Sequence, residues 1–563
     1  MSSLLSRGEP MIWLTAGGLA LSLAMVAWLL GLVLYQGMIT FWPRAVAEFD
    51  LHNETVVLGQ VSRSELLEAD EAFFASLPED ERERARVEAE QSGGMLKRSL
   101  VRTGNFDLTR SHFTWVYDFQ VADRATPEAA VLIERLEWGR FYGYIDRLVD
   151  GESELASGAS GDVLAELDRV LPDVIDAREA IREIEREQIA DQTRRQERAR
   201  LDLRTATREA GSDLAAIEAA QAEHDAVLSD VADEVNRLRA EVANLRAAVD
   251  DYALVLTTSD GTSKAIRLLD IVRVVPSNEL TTGGKLGVYL SRWWEFLVED
   301  PREANSEGGV FPAIFGTVLM TLIMCVLVVP FGVMAALYLR EYAKAGLVVS
   351  AVRISINNLA GVPSIVFGVF GLGFFCYIVG AQIDELFYAE RLPNPTFGKG
   401  ALIWASFTLA LLTLPVVIVA TEEAIAAVPN SMRQGSYACG ASKWQTIQRI
   451  VLPRAMPGIL TGTILAMARG AGEVAPLMIV GAVKLAPELP LSFSADEQFG
   501  INRSFMHLGF HIYDLGFQSQ NSEAARPMVY TTTLLLILIV AGLNLAAIAL
   551  RSRLRKRFKN AAF

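Results

Sequence analysis

The chain alternates between long apolar runs and one long charged section. A helix needs about 20 mostly apolar residues to cross a bilayer, and six stretches of the sequence reach that length. The predicted spans are residues 11–35, 311–339, 354–379, 400–420, 458–483 and 528–550. The first run is too long for the apolar part of a signal peptide and continues into Phe41 and Trp42, so we expect an uncleaved anchor. The pattern predicts a polytopic, mostly α-helical membrane protein.

Charge divides the chain in the same way. The 563 residues include 67 acidic and 52 basic side chains, a net charge of −15. Residues 41–310 hold 54 of the acidic and 32 of the basic ones, which leaves 13 acidic and 20 basic residues elsewhere. An acidic, water-facing insert therefore interrupts a mildly basic, apolar frame. Its negative charge argues against binding to nucleic acid, whose phosphates it would repel.

The distribution of basic residues predicts the orientation, because Lys and Arg accumulate in cytoplasmic loops. Six of them follow the last span: Arg551, Arg553, Arg555, Lys556, Arg557 and Lys559. A cytoplasmic C-terminus and six spans place the N-terminus inside and the acidic insert outside. The basic loop between the fourth and fifth spans, residues 421–456, is then also inside.

The insert has the pattern of an α+β domain with a helical hairpin. Phe113–Tyr117 is rich in β-branched and aromatic residues and predicts a strand. Asp260-Gly261 predicts a hairpin turn between strands at 253–258 and 265–275. From Leu214 to Tyr252, apolar residues recur at alternating spacings of three and four, which is typical of a coiled-coil seam. We expect a coiled-coil hairpin over about residues 164–252.

The loop between the fourth and fifth spans carries the most informative spacing. Gln434-Gly435-Ser436 is followed by Gly440, and then by Ile450, Leu452 and Pro453. Glycine readily adopts a positive φ, so Gly440 predicts a tight reversal between two short helices.

The second of these helices has an apolar face. Trp444, Ile447 and Val451 recur at spacings of three and four, which predicts an exposed stripe that fills a groove on another protein. Pro453 is expected to end this helix before the fifth span begins.

This loop resembles the EAA-x3-G-x9-I-x-L-P loop of ABC importer permeases, with Gln434-Gly435-Ser436 in place of the leading EAA. Four further segments resemble the PstA-type permease of phosphate-specific ABC importers. They are YLREYA at 338–343, LAGVPSIVFG at 359–368, TLP at 413–415 and RGAGEVAPL at 469–477. The resemblance is loose over the first anchor and close over 311–563. The long insert resembles the enlarged form found in some Gram-negative bacteria.

The resemblance implies a type I ABC importer permease-like core and a division into three parts. These are a cytoplasmic end with the first anchor (1–36), a periplasmic insert (37–310) and a five-helix permease core with a basic tail (311–563). It implies a multi-pass protein of the bacterial inner membrane that translocates inorganic phosphate. The residues expected to couple it to an ATPase are Gly435, Gly440, Trp444, Ile447, Ile450, Leu452 and Pro453.

The chain itself lacks the motifs of an ATPase. It contains no GxxxxGK[ST] sequence and no Ser/His/Asp or metal-ligand constellation, so we expect a transport subunit without a catalytic site, cofactor or metal. ATP is then used by a partner. The resemblance implies two ATP-binding cassette subunits, a homologous second permease and a periplasmic phosphate-binding protein.

Arg469 and Glu473 are the candidate substrate-path residues. They lie four apart near the middle of the fifth predicted span, a spacing that places them on one helix face. Ionisable groups are expensive there and usually functional, and the planar fork of arginine suits an oxyanion such as phosphate. A purely structural ion pair is the alternative.

Two other functions remain open from the sequence. One is a permease for a different oxyanion, such as sulfate or molybdate. The other is a membrane-anchored sensor or scaffold whose working part is the coiled coil.

Overall fold

A computed structural model describes residues 9–158, 160–486, 488–491, 500–519 and 521–560. The chain divides into two compact units. Met1–Thr40 together with Glu295–Phe563 forms one, which we call the membrane unit, and Phe41–Trp294 forms the other, which we call the insert unit.

The first anchor is a single long helix, α1 (Glu9–Ile39), and the insert unit that follows is built on two antiparallel sheets. The elements of the insert unit before its hairpin are β1 (Ala47–Leu51), β2 (Val56–Glu68), α2 (Glu71–Ser76), α3 (Glu79–Gln91), β3 (Met95–Arg102), α4 (Phe106–Thr109), β4 (Phe113–Tyr117), β5 (Val121–Ala125), β6 (Ala130–Arg135), β7 (Phe141–Asp150) and β8 (Ser153–Ser157). Its remaining elements are α5 (Ser160–Glu183), α6 (Ile189–Ala210), α7 (Leu214–Val249), β9 (Tyr252–Thr257), β10 (Ser263–Arg267), β11 (Ile271–Val275) and α8 (Thr282–Val298). One sheet has the order β4-β3-β2-β1-β5; the other has the order β10-β9-β7-β6-β11, with β8 paired to β7.

The predicted strand elements are confirmed, with one change. β4 covers Phe113–Tyr117 as expected, and β9 pairs with β10 through a turn in which Gly261 has φ +81°. The predicted second strand, 265–275, is interrupted by a 3₁₀ turn at Leu268–Asp270, so its halves β10 and β11 lie at opposite edges of the sheet. The sheet's core is formed with α5, whose Val163, Leu167 and Val174 are buried against it.

The predicted helical hairpin is present. α5 passes through a π-helical turn at Ile184–Gln188 into α6, and α7 folds back along α6 after the turn at Gly211, with Asp213 as its N-cap. Four seam residues of α7 are buried: Val231, Leu238, Val242 and Val249. Leu214, at the far end of the seam, is 74% exposed. The apolar seam is therefore closed only over the half of α7 nearer the sheets.

The remainder of the membrane unit is almost entirely helical. Its elements are β12 (Pro301–Arg302), β13 (Glu307–Gly308), α9 (Phe311–Leu337), α10 (Leu347–Leu359), α11 (Ser364–Phe370), α12 (Ala381–Phe387), α13 (Leu402–Ala426), α14 (Asn430–Ala438), α15 (Lys443–Thr446), α16 (Leu452–Gly472), α17 (Ala475–Val480), α18 (Leu508–Tyr513) and α19 (Ser522–Asn560).

Six helices among the described residues are long and apolar enough to cross a membrane, which confirms the predicted number. They are Met11–Ile39, Phe311–Tyr342, Ser364–Phe387, Leu402–Ala426, Lys443–Gly472 and Ser522–Arg553. The third begins ten residues later than its predicted start at 354, because α10 ends at Leu359 and a new helix starts after Pro363. Proline disfavours helical geometry in the residue before it, which favours a break in the apolar run at this point.

The centre of the membrane unit is the fourth span, α13. It packs against α9 on one side and α16 on the other, and most of its residues are buried. α16 approaches closely through Gly458 and Gly462, where a Cβ atom would lie 2.4 Å and 2.5 Å from the methyl groups of Ala424 and Ala420. Small residues at these positions let the helix backbones meet.

Candidate functional site

The fourth and fifth spans are joined by a helical elbow, residues 430–446. Between its two short helices Gly440 has φ +82°, and its N–H donates to Tyr437 O at 2.9 Å. No atom lies within 4 Å of a Cβ at Gly440, so the backbone conformation alone requires glycine. Ser442 and Gln445 form a capping box that begins α15. The predicted pair of short helices with a reversal at Gly440 is confirmed.

The predicted exposed stripe on the second helix is wrong for two of its three residues. Ile447 and Val451 are each 1% exposed, and Val451 packs in one cluster with Ile425 near the C-terminal end of α13. Trp444 is 58% exposed as expected. The outer face of the elbow instead presents Trp444 together with Tyr437 and Cys439, both of which are exposed.

Pro453 does not end the second helix, contrary to expectation. A π-helical turn, Ile447–Val451, joins α15 to α16, and one helical run extends from the elbow to Gly472. Pro453 sits in the first turn of α16, where a missing N–H is tolerated next to the wider π turn. Ile450 and Leu452 are half-buried at this junction, and Gly435 is exposed within α14. Their roles in coupling remain predictions.

The candidate ion pair forms at a break in the fifth span. Arg469 Nε lies 3.5 Å from Glu473 Oε1, and the side chains are 36% and 20% exposed. Arg469 is in the last turn of α16, where the negative end of the helix dipole favours a cation. Glu473 is the C-cap residue and its backbone is extended. The prediction that the two side chains share a helix face is therefore wrong. The helix ends here because Pro476 opens the next one, α17.

Both sides of this break are tightly packed. A Cβ at Gly470 would lie 2.5 Å from Met324 Sδ on α9, and one at Gly368 on α11 would lie 2.7 Å from Pro476 Cα. Residues on either side of Arg469 and Glu473 therefore touch the second and third spans.

A polar cluster at the other end of α9 was not predicted. Asp514 is 2% exposed, and its Oδ2 accepts from Lys484 Nζ at 3.0 Å and from Asn305 Nδ2 at 3.3 Å. Asn305 ends a run of three residues with positive φ and donates also to Lys484 O at 3.2 Å. The three partners are far apart in sequence, so no local pattern could have revealed them. The cluster ties together the segments that precede the second and sixth spans.

Within the described residues, no group of three or more His, Cys, Asp or Glu side chains is arranged to hold a metal ion. The chemistry that the structure offers is a half-buried guanidinium in the last turn of α16 and an elbow with exposed aromatic side chains.

Comparison with known proteins decides the family. Residues 309–560 match the family described as binding-protein-dependent transport system inner membrane component. The phosphate transport system permease protein PstA 1 of Mycobacterium tuberculosis is 33% identical over 268 residues, which are 48% of this chain and 79% of that protein. The PstA protein of Yersinia pestis is 37% identical over 184 residues, 32% of this chain and 56% of that protein. This chain belongs to the PstA-type ABC transport permeases.

The matched region lies wholly within the membrane unit and does not include the insert unit. Among solved structures, the inward-facing MetNI methionine ABC transporter aligns over 43% of this chain and 94% of its own, with 19% identity and a TM-score of 0.32. A likeness that distant adds nothing to the assignment, which rests on the sequence relatives. Family membership makes the chain a transport subunit that works with a second permease, an ATPase and a substrate-binding protein.

Proposed function

We propose that this chain is a membrane permease subunit of an ATP-driven importer of inorganic phosphate. The single observation that carries the proposal is the elbow built around Gly440 in a chain whose relatives are phosphate permeases. Two ATP-binding cassette subunits, a homologous second permease and a periplasmic phosphate-binding protein complete the importer. ATP is bound and hydrolysed by the cassette subunits, and this chain holds no cofactor.

The elbow is the docking surface for one ATPase subunit. Trp444 and Tyr437 are aromatic, exposed and next to the reversal, which are properties of residues that anchor an interface. Gly435 and Gly440 supply an exposed backbone without side chains, so that a partner can approach closely. Ile447, Ile450, Leu452 and Pro453 act behind this surface by holding the elbow to the fifth span.

Arg469 and Glu473 lie on the phosphate route. An arginine donates paired hydrogen bonds to an oxyanion, and the wide spacing of its contact with Glu473, 3.5 Å, leaves donors available for a passing ligand. The carboxylate tempers the positive field, since a site that binds too tightly would trap the ion.

The chain lies in the inner membrane with both termini in the cytoplasm and residues 37–310 in the periplasm. This orientation puts the basic elbow beside the cytoplasmic ATPase and follows the positive-inside rule.

Uptake of radiolabelled phosphate by the assembled importer tests the proposal. Arg469→Ala is expected to reduce uptake to background while the complex still assembles, because the route loses its only proposed phosphate ligand. Arg526→Ala is the matched control, because Arg526 forms an (i,i+3) pair with Glu523 at 3.6 Å at the start of the sixth span.

Normal uptake by Arg469→Ala would remove this residue from the route. Competition by excess sulfate or molybdate, with phosphate itself poorly transported, would instead show that the importer carries another oxyanion.

A further inference from the structure

Both short helices of the elbow hold the end of the second span. Arg433 of α14 places Nη2 3.0 Å and Nε 3.3 Å from Glu341 Oε1. Lys443 of α15 donates from Nζ to Glu341 O and lies 4.8 Å from the centre of the Tyr342 ring. Two cations, one on each side of the Gly440 reversal, therefore contact Glu341.

The Arg433 guanidinium also binds the end of the fourth span. Its Nη1 donates to Val428 O at 2.5 Å and to Asn430 Oδ1 at 3.2 Å, and its Nη2 donates to Ile425 O at 2.9 Å. The last carbonyls of a helix lack intrahelical donors, so a basic side chain commonly satisfies them. One guanidinium thus joins the elbow to both α13 and the end of the second span.

This contact is more enclosed than an ordinary surface ion pair. The side chains of Arg433 and Glu341 are only 13% and 10% exposed, whereas those of the nearby pair Arg353 and Glu422 are 43% and 20% exposed. Enclosed charges keep their geometry only when partners satisfy their hydrogen bonds. Arg433 and Glu341 are therefore held in place, and a movement of one displaces the other.

The second span connects this contact to the ion pair in the fifth. The helix that ends at Tyr342 contains Met324, whose sulfur packs against Gly470, the neighbour of Arg469. A displacement of the elbow therefore reaches the vicinity of Arg469 along α9 as well as along α16.

We propose that Glu341, Arg433 and Lys443 form a clamp that makes the elbow and the second span move together, so that ATP hydrolysis is converted into transport. They are positioning residues that touch neither ATP nor phosphate. The proposal rests on the proposed function above. It requires that the clamp contacts differ between the two orientations of the permease, since a contact equal in both states transmits nothing.

The test compares Glu341→Gln, Arg433→Gln and the double variant in the assembled importer, reconstituted with its ATPase and binding protein. The readout is the number of phosphate ions transported per ATP hydrolysed. Each single variant is expected to lower this ratio by about tenfold, within the range of typical allosteric couplings, while ATPase still co-purifies. Because both residues act as one unit, the double variant falls no further than the singles.

Glu422→Gln is the matched control, since it breaks the Arg353–Glu422 pair of the same unit and is expected to keep the wild-type ratio. A wild-type ratio in Glu341→Gln, or losses that add in the double variant, would overturn the clamp. A parallel loss of ATPase activity and transport would show a merely structural pair. If Glu341→Gln fails to assemble, Lys443→Met decides the question, because Lys443 is exposed and its loss disturbs no buried charge.

Failure of the proposed function has a different signature. The wild-type complex would then hydrolyse ATP in response to the binding protein without moving phosphate. The transport ratio would be measured with sulfate or molybdate instead, and Glu341→Gln should lower that ratio as well.

Discussion

The two units of this chain use charge in opposite ways. The insert unit carries charged residues over its surface, and those that stabilise its fold are distinguished by being buried. Buried Glu134 is the example, with three arginines at 3.7, 2.8 and 2.7 Å: Arg140, Arg273 and Arg292. In the membrane unit a charged side chain within a span is rare, so its position alone makes it a candidate functional residue. An ion pair therefore stabilises the fold in the insert unit, whereas we propose that one serves transport in the membrane unit.

The largest difference between the units is expected at two matched glycines. Gly440 and Gly261 have φ +82° and +81°, have no atom within 4 Å of a Cβ, and donate to the carbonyl three residues earlier. Proline fits neither position, because its φ is fixed at a negative value. Forcing it into the turn should cost about 3 kcal/mol, which corresponds to on the order of a hundredfold in the equilibrium between the native turn and its disrupted form. Gly440→Pro should lower phosphate uptake by about that factor, whereas Gly261→Pro should not.

Phosphate uptake by the two variants, normalised to the amount of protein in the membrane, is the measurement. Equal uptake would contradict the assignment of coupling to the elbow.

A second effect, on stability and not on uptake, is confined to the insert unit and is expected from Glu134→Gln. The three arginines lower the pKa of Glu134 from 4.5 to about 2 despite burial, which opposes its charged form. A depressed pKa contributes stability above the unfolded value, and a shift of this size corresponds to about 3 kcal/mol. The free energy of unfolding of the insert should fall by about that amount at pH 7.

Thermal unfolding of the full chain at several pH values checks this result. The deficit of the variant should shrink as pH falls from 4.5 towards 2, because over this range the carboxylate of the unfolded chain takes up a proton while that of the folded wild type stays charged. A deficit independent of pH would contradict the linkage. Phosphate uptake per folded complex should be unchanged.

The smallest effect is expected from shortening the hairpin. Arg195 and Asp230 face each other at 2.7 Å, and removing residues 196–229 behind a short turn leaves the buried cluster of Ile181, Ile184, Leu238 and Val242 in place. Uptake should stay at the wild-type rate. Loss of uptake in a folded, assembled complex would favour the alternative in which the hairpin is the working part of a sensor or scaffold.

The sequence predicted what depends on local pattern. Apolar length identified all six spans, and a single glycine with the right neighbours identified the elbow. The prediction that Arg469 and Glu473 share a helix face was wrong, because α16 ends at Gly472, between these two residues. Pro476, which opens the next helix, was visible in the sequence. The apparent stripe of Ile447 and Val451 failed for another reason: periodicity shows that a face is apolar, but not whether it packs inward.

The sequence did not predict which residues far apart in the chain contact one another. Only fragments of the two sheets were predicted, since partners such as β1 and β5 are separated by several other elements. The contact between Glu341 and Arg433 joins residues 92 positions apart, and neither spacing nor composition indicates it.

The central claim is that the elbow faces the cytoplasm and carries the ATPase. Cys439 on the elbow is exposed, while Cys376 is buried and Cys325 lies partly buried in the second span, so the natural chain can be labelled at this point without added cysteines. A membrane-impermeant maleimide should leave Cys439 unlabelled in intact spheroplasts, label it after permeabilisation, and label it less when the ATPase is bound, with Cys439→Ser as the blank. Labelling of Cys439 in intact spheroplasts would place the elbow outside and contradict the mechanism.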